Sequence, residues 1–245
     1  DPERFARQMV LLDHAGYDTI TLDECIRFIK REQVSLPARP LLLTFDGARL
    51  DSWTGSDEIL RELGFHAVLF VDAGRVEEED PEYLTWRELN ALQRSGRWEA
   101  QLQSGTGHHR IRYGPAPDDV GPFYAYRGSE EILGGWRERV FSDITWGEEQ
   151  LSFRVRDYRP LAFAPPYGNY GQAGTNDPRI PRELLARSRG LEAGDEVLEL
   201  GGEREVAFAR GGIERPAKQL RGIGKAAVAR PGGVDVEAAP AGLSG

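Results

Sequence analysis

The sequence predicts an α/β fold built on a parallel sheet, and three observations carry that expectation. Short runs dense in branched and aromatic residues, LLLTF (41–45), FHAVLFV (65–71) and WEAQLQ (98–103), read as strands. Amphipathic segments lie between them, each with the start or stop signals of a helix. The length, 245 residues with 40% hydrophobic and 29% charged, suits one domain with a sizeable core and falls in the range of parallel α/β barrels.

In chain order, RFARQMVLLDHA (4–15) carries Phe5, Met9, Leu12 and Ala15 at helical spacing, and Gly16 is a natural stop. YDTITL (17–22) alternates like a short strand, and Asp23 is a candidate cap for a helix over 24–32. LLLTF is continuous rather than alternating, as a strand covered on both faces should be. Ser56 to Leu63 reads as a helix closed by Gly64, before the strand at 65–71. Thr85 caps WRELNALQRSG, which ends at Gly96, and the strand at 98–103 follows. GPAPDDVGPF (114–123) reads as a surface loop and WRERVFSDITWGEEQL (136–151) as a long helix. LAFAPPYGNYG (161–171) reads as the end of a further strand in a Gly/Pro-rich loop. Towards the C-terminus large apolar residues thin out. VLEL (197–200) and VAFA (206–209) are candidate edge strands, and loose structure is expected beyond 212. Residues 1–190 are therefore assigned to the barrel and 191–245 to a divergent C-terminal segment.

A net charge of -9 and a pI near 5.1 argue against a nucleic-acid partner, which needs clustered Lys and Arg. They leave a neutral or cationic glycan open. Cys25 is the single cysteine, so there is no intrachain disulfide and no cysteine-based zinc site; its helical setting suits a small buried apolar residue. No apolar run approaches the roughly 20 residues of a membrane span. No signal-peptide pattern opens the chain, but it begins at Asp1 rather than Met, so the compartment stays open.

In parallel α/β folds chemistry collects at the C-terminal ends of the strands. Here those ends are Asp46–Arg49, Asp72–Arg75 and Gln103–His109. Asp46 and Asp51 are candidate general bases, although an isolated Asp after a strand more often shapes a turn or caps a helix. His108 and His109 follow in a glycine-rich loop; neighbours on an extended chain point opposite ways, so one of them is expected to face a site. In FAPPYG, Pro165 and Pro166 stiffen the backbone so that an N–H can be aimed at a substrate oxygen. Trp53, Tyr167 and Tyr170 are candidate sugar-stacking surfaces. His14, His66, Trp86, Trp98, Trp136 and Trp146 are read as structural, and EEED (77–80) as a solvated loop.

Taken in order, TFDG (44–47), QSGTGHHRI (103–111) and FAPPYG (163–168) resemble the polysaccharide deacetylases, the NodB-homology carbohydrate esterases. The flanks RFARQMVLLDHAGYDTITLDE, LRELGFHAVLFVDAGRV and YLTWRELNALQRSGRWE resemble that family too. The branch acting on partly acetylated poly-β-1,6-N-acetylglucosamine is the nearest in pattern, with its alanine before the Pro-Tyr-Gly motif. The resemblance implies a distorted (β/α) barrel that removes acetyl groups from N-acetylated polysaccharide, outside the cell or in its envelope. It implies a divalent metal, often zinc, held by one Asp and two His, and a second Asp as base.

Residue by residue, Asp46 matches the base, His108 the second metal histidine, and Pro166 and Tyr167 the oxyanion loop. Trp53, Pro166, Tyr167 and Tyr170 are the expected substrate contacts. Gly47 stands where the metal-binding Asp belongs, Ala48 replaces a turn glycine, and Gln103 stands where the first metal histidine belongs. A glycine offers no side-chain oxygen, and a neutral amide is a poor zinc ligand beside imidazole. Two readings follow: a hydrolase with a degenerate or rearranged metal site that includes Asp46, His108 and either His109 or Asp51, or a glycan-binding relative without catalysis, native or disabled by substitution.

Overall fold

The computed structural model describes residues 1–189, 207–211 and 228–229. Helix α1 (Pro2–His14) opens the chain, capped by the Asp1 carboxylate. A two-residue strand β1 (Asp18–Thr19) leads into α2 (Leu22–Ile29). The expected strand over 17–22 is cut short because Thr21 and Glu24 form a reciprocal cap: the Glu24 N–H donates to Thr21 Oγ1 (3.2 Å) and the Thr21 N–H to Glu24 Oε2 (2.8 Å). The T-x-x-E pattern therefore outranks Asp23 as the cap.

Strand β2 (Pro40–Gly47) is followed by two short helices, α3 (Leu50–Thr54) and α4 (Asp57–Leu63), the second closed by left-handed Gly64. Strand β3 (Ala67–Asp72) runs into α5 (Ala73–Glu77), so Glu77 belongs to a helix and not to the expected loop. Then come α6 (Trp86–Arg94), with a second Thr-Glu cap, and β4 (Trp98–Ser104). The segment expected as a loop over 114–123 contributes half of a hairpin, β5 (Arg110–Arg112) against β6 (Val120–Pro122), with Tyr113 stacked on Tyr126 at 4.6 Å. Helix α7 (Leu133–Arg154) spans 22 residues, and α8 (Ile180–Arg189) follows. Strands β7 (Ala207–Gly211) and β8 (Val228–Ala229) complete the described elements.

The sheet is parallel, in the order β4-β3-β2-β7-β8, with β1 also on β2. Strand β7 thus takes an interior place, where the sequence suggested an edge strand; an apolar run such as AFA fits a strand paired on both sides. The residues 197–200 lie outside the described part. The strand expected near 161 does not form. Only Phe163 bridges to Leu102, and the Gln101 side chain takes the rest: its Oε1 accepts from Leu161 N and Ala162 N (both 2.9 Å) and its Nε2 donates to Arg159 O (3.0 Å). Pro160, Pro165 and Pro166 have no N–H to continue a ladder.

Period-2 alternation sorts the sheet into two faces. Leu41, Leu43, Phe45, Ala67, Leu69, Val71, Trp98, Ala100 and Leu102 enter the main core with α1, α4, α6 and α7. Leu42 and Val68 join a smaller cluster with α2, where Cys25 is buried. Along that second face each strand becomes polar towards its C-terminal end: Asp46 on β2, Asp72 on β3, Gln103 on β4. Trp98 and Trp136 are buried in the core and Trp86 and Trp146 pack against it, while His14 and His66 are exposed.

Two outcomes follow. Thr85→Ala removes a reciprocal cap and lowers stability by about 1 kcal/mol in urea unfolding. Burial pushes the Cys25 thiol from 9.0 up to about 12 and raises the Tyr158 hydroxyl as well. The unfolded chain then sheds protons first, so stability falls as pH climbs from about 9. Cys25→Ala should flatten the first part of that decline in urea midpoints measured between pH 8 and 11.

Candidate functional site

The polar strand ends converge at one mouth of the sheet. After half-buried Asp46, Gly47 (φ +83°) and Ala48 (φ +56°) are consecutive left-handed residues. The turn is pinned by Leu84 N donating to Ala48 O and Leu50 N to Glu82 O, both 2.9 Å. Glycine adopts such a φ freely; for the alanine, which is fully buried, it costs about 1 kcal/mol. Exposed Asp51 accepts from Arg49 Nε at 3.2 Å. Trp53 packs half-buried against the main core, and its indole N–H is buried without a partner among the described residues.

Asp72 ends β3 with 3% exposure, and its Oδ2 lies 3.2 Å from His108 Nδ1. The carboxylate and the ring nitrogen are thus in polar contact at the end of the strand. Sequence reasoning named the strand end at 72–75 but gave Asp72 no role. The signal was present: an acid directly after the apolar run AVLFV, the pattern that singled out Asp46.

The loop after β4 is held from below. The Asp143 carboxylate on α7 accepts from Gly105 N (3.0 Å), Thr106 N (2.6 Å), Thr106 Oγ1 (2.9 Å) and the Tyr124 hydroxyl. A Cβ on Gly105 would sit 2.3 Å from Asp143 O, so the close approach needs glycine there. Burial, and then the neighbouring Asp143 charge, raises the Tyr124 hydroxyl well above its ordinary range. The loop sends its two histidines apart, as alternation predicts. His108 turns to Asp72; exposed His109 stacks edge-on against Phe123 with centroids 5.1 Å apart.

Tyr167 stands at the rim, 47% exposed and left-handed (φ +62°), between buried Pro166 and Gly168. Its ring meets His108 edge-on at 5.2 Å, its hydroxyl donates to His108 O at 3.4 Å, and Arg110 lies 5.3 Å over its face. Partial burial raises the Tyr167 hydroxyl pKa; Arg110 opposes the rise and Asp72 adds to it. Tyr170 is half-buried against the main core.

Gly47 and Gln103 face each other. A Cβ built on Gly47 would lie 3.9 Å from Gln103 Oε1, 3.9 Å from Tyr83 Cε1 and 3.8 Å from Arg49 Cγ. Two positions where the resemblance expects metal ligands therefore adjoin in space, and neither offers one. Among the described residues no group of three or more His, Cys, Asp or Glu is placed to hold a metal ion. Of the three positions that the resemblance expects as ligands, only His108 carries a metal-ligating side chain, so this set of described residues does not fit a divalent metal.

Residues 33–177, more than half of the chain, match the model of the polysaccharide deacetylase family. The chain belongs to the polysaccharide deacetylase family. Among solved structures, it is similar to a de-N-acetylase from Aggregatibacter actinomycetemcomitans (TM-score 0.63, 17% identity, covering 74% of this chain and 72% of that one). It is similar to the BpsB deacetylase domain from Bordetella bronchiseptica (TM-score 0.57, 16% identity, 74% and 73% covered). It is also similar to IcaB from Ammonifex degensii (TM-score 0.55, 20% identity, 76% and 72% covered). At these identities the likeness establishes the fold, the α/β architecture of the polysaccharide deacetylases; among the described residues no ladder closes the sheet into a full barrel. A search of curated protein sequences finds no match.

Within this polysaccharide deacetylase fold, Asp143→Ala strands two backbone N–H groups and should cost about 3 kcal/mol. Urea unfolding gives the loss, and faster hydrogen exchange at Gly105 and Thr106 locates it.

Proposed function

We propose that this chain engages N-acetylglucosamine-containing polysaccharide at the mouth of its sheet and lacks the metal-dependent hydrolysis that the family resemblance implies. The observation that carries this reading is the facing pair Gly47 and Gln103, which removes two expected ligands from one spot. Losing two of three strong ligands lowers metal affinity by orders of magnitude, and Asp46 cannot serve both as ligand and as base. What remains suits carbohydrate. Tyr167 presents an exposed aromatic face braced by His108 and Arg110, and sugars stack on such faces. Pro166 fixes the loop that aims it. Asp46 stands at the position that matches the base, and His108 lies beside Asp72 at the same mouth. A polysaccharide of this kind places the protein outside the cell or in the envelope. Residues 1–190 form the deacetylase-like unit in this reading, with 191–245 appended to it.

A second reading, hydrolysis at a rearranged centre, has one observation in its favour: the Asp72–His108 pair puts an oriented imidazole beside the rim. Acetate release separates the two. The unaltered chain should release none from N-acetylglucosamine oligomers with added zinc, cobalt or nickel; chelator-sensitive release would overturn the proposal. The double variant Gly47→Asp/Gln103→His should gain zinc affinity in calorimetry, because aspartate is among the residues that tolerate a left-handed backbone, at about 1 kcal/mol. Tyr167→Ala should weaken oligomer binding about tenfold, the loss of one stacked ring.

A further inference from the structure

We infer that the outer face of β5 is a subsite for a carboxylate-bearing sugar, read by Arg110 and Arg112, so that the polysaccharide at this mouth carries acidic units beside its N-acetylglucosamine. This deepens the function proposed above and rests on it.

The placement comes from the hairpin. Ile111 packs against the main core, and its neighbours Arg110 and Arg112 are both exposed on the opposite face of β5. Their Cα atoms stand about 7 Å apart, two residues of an antiparallel strand. The face begins at the rim of the mouth, where the Arg110 guanidinium lies 5.3 Å over the ring of Tyr167. It runs on to Arg112, whose Nη1 donates to Ala116 O at 2.8 Å. Two cations therefore lead away from the exposed tyrosine in one direction.

What sets the pair apart is the lack of a counter-charge. The chain holds 40 acidic residues against 31 lysines and arginines, and other arginines near the mouth are well supplied. Arg49 pairs with Asp51 and Glu82, and Arg75 with Glu78 and Asp80. Among the described residues neither Arg110 nor Arg112 has an ion pair. Acids are close by but engaged elsewhere. Asp119, across the hairpin, accepts from Ala116 N at 2.8 Å, and Asp72 lies 3.2 Å from His108.

The class of ligand follows from the donors. A guanidinium offers a planar fork of N–H groups and no acceptor, and a carboxylate takes both prongs where a sugar hydroxyl takes one. The contact with Tyr167 engages the positive charge and leaves the N–H groups to a ligand. A sugar on Tyr167 then has its neighbour in the chain beside Arg110. The two cations are spaced apart, which suits acids borne singly on units of a glycan better than the dense phosphates of a nucleic acid. The net charge of -9 opposes an anion only at long range, and physiological salt screens it beyond about 8 Å. The local pair decides what binds.

Calorimetric titration tests this with three probes: a hexamer in which glucuronate alternates with N-acetylglucosamine, the same hexamer with its carboxylates as methyl esters, and a hexamer of N-acetylglucosamine alone. At low salt the unaltered chain should bind the acid about tenfold more tightly than the ester, and the ratio should fall towards one at about 1 M salt. Each variant is read as that ratio, so a general loosening of Tyr167 cancels. Arg110→Gln should bring the ratio below about two. Arg110→Lys should leave an intermediate value, because the charge stays and the fork is lost. Arg112→Gln should lower the ratio by about half. A ratio that is unchanged in Arg110→Gln overturns the inference. A ratio near one in the unaltered chain, with the N-acetylglucosamine hexamer still bound, also overturns it and leaves the proposed function standing. Binding of none of the three overturns both.

Discussion

One carboxylate sets the geometry on which the mouth of this protein depends. Asp143 reaches up from α7 and takes hydrogen bonds from two successive backbone N–H groups, a threonine hydroxyl and a buried tyrosine. Without such acceptors a glycine-rich loop would sample many conformations, because glycine loses the most backbone freedom on folding. With them, the loop leaves β4 in one direction, and that direction brings His108 to Asp72 and its carbonyl to Tyr167. A helix that packs beneath the sheet thus determines what the rim displays.

At the same mouth, backbone conformation and side-chain chemistry are separate matters. The turn after β2 holds two left-handed residues, the loop after β4 is clamped by Asp143, and the Pro-Tyr loop holds a left-handed tyrosine. A conformation that accepts glycine, asparagine or aspartate at position 47 is indifferent to which of these stands there, so backbone and ligand set can change independently. At the centre, the buried Gln103 side chain brings an amide and no imidazole.

Much of this was legible in the sequence because strand and helix periods are strong signals. The buried strands β2, β3 and β4, the stops at Gly64 and Gly96 and the opposed histidines all follow from local rules. Gly47 and Gln103 stood out only against the family pattern; that the two adjoin depends on register between β2, β3 and β4, which no local rule supplies. Asp72 was missed as a partner for His108 because their pairing spans two helices and a strand. The strand expected near 161 failed for a related reason: a side chain, Gln101, occupies the hydrogen bonds that the backbone was expected to use. The hairpin at 110–122 was hidden by its Pro, Gly and Asp content, which marks the turn and masks the short strands beside it.

That substitution of side chain for backbone has a consequence for the protein in a crowded solution. The far side of β4 would otherwise present open N–H and C=O groups to any extended segment nearby. By tying residues 159–162 along that border, Gln101, together with the Leu102–Phe163 bridge and the Ala164 N to Leu102 O bond, leaves less of that edge open to an incoming strand.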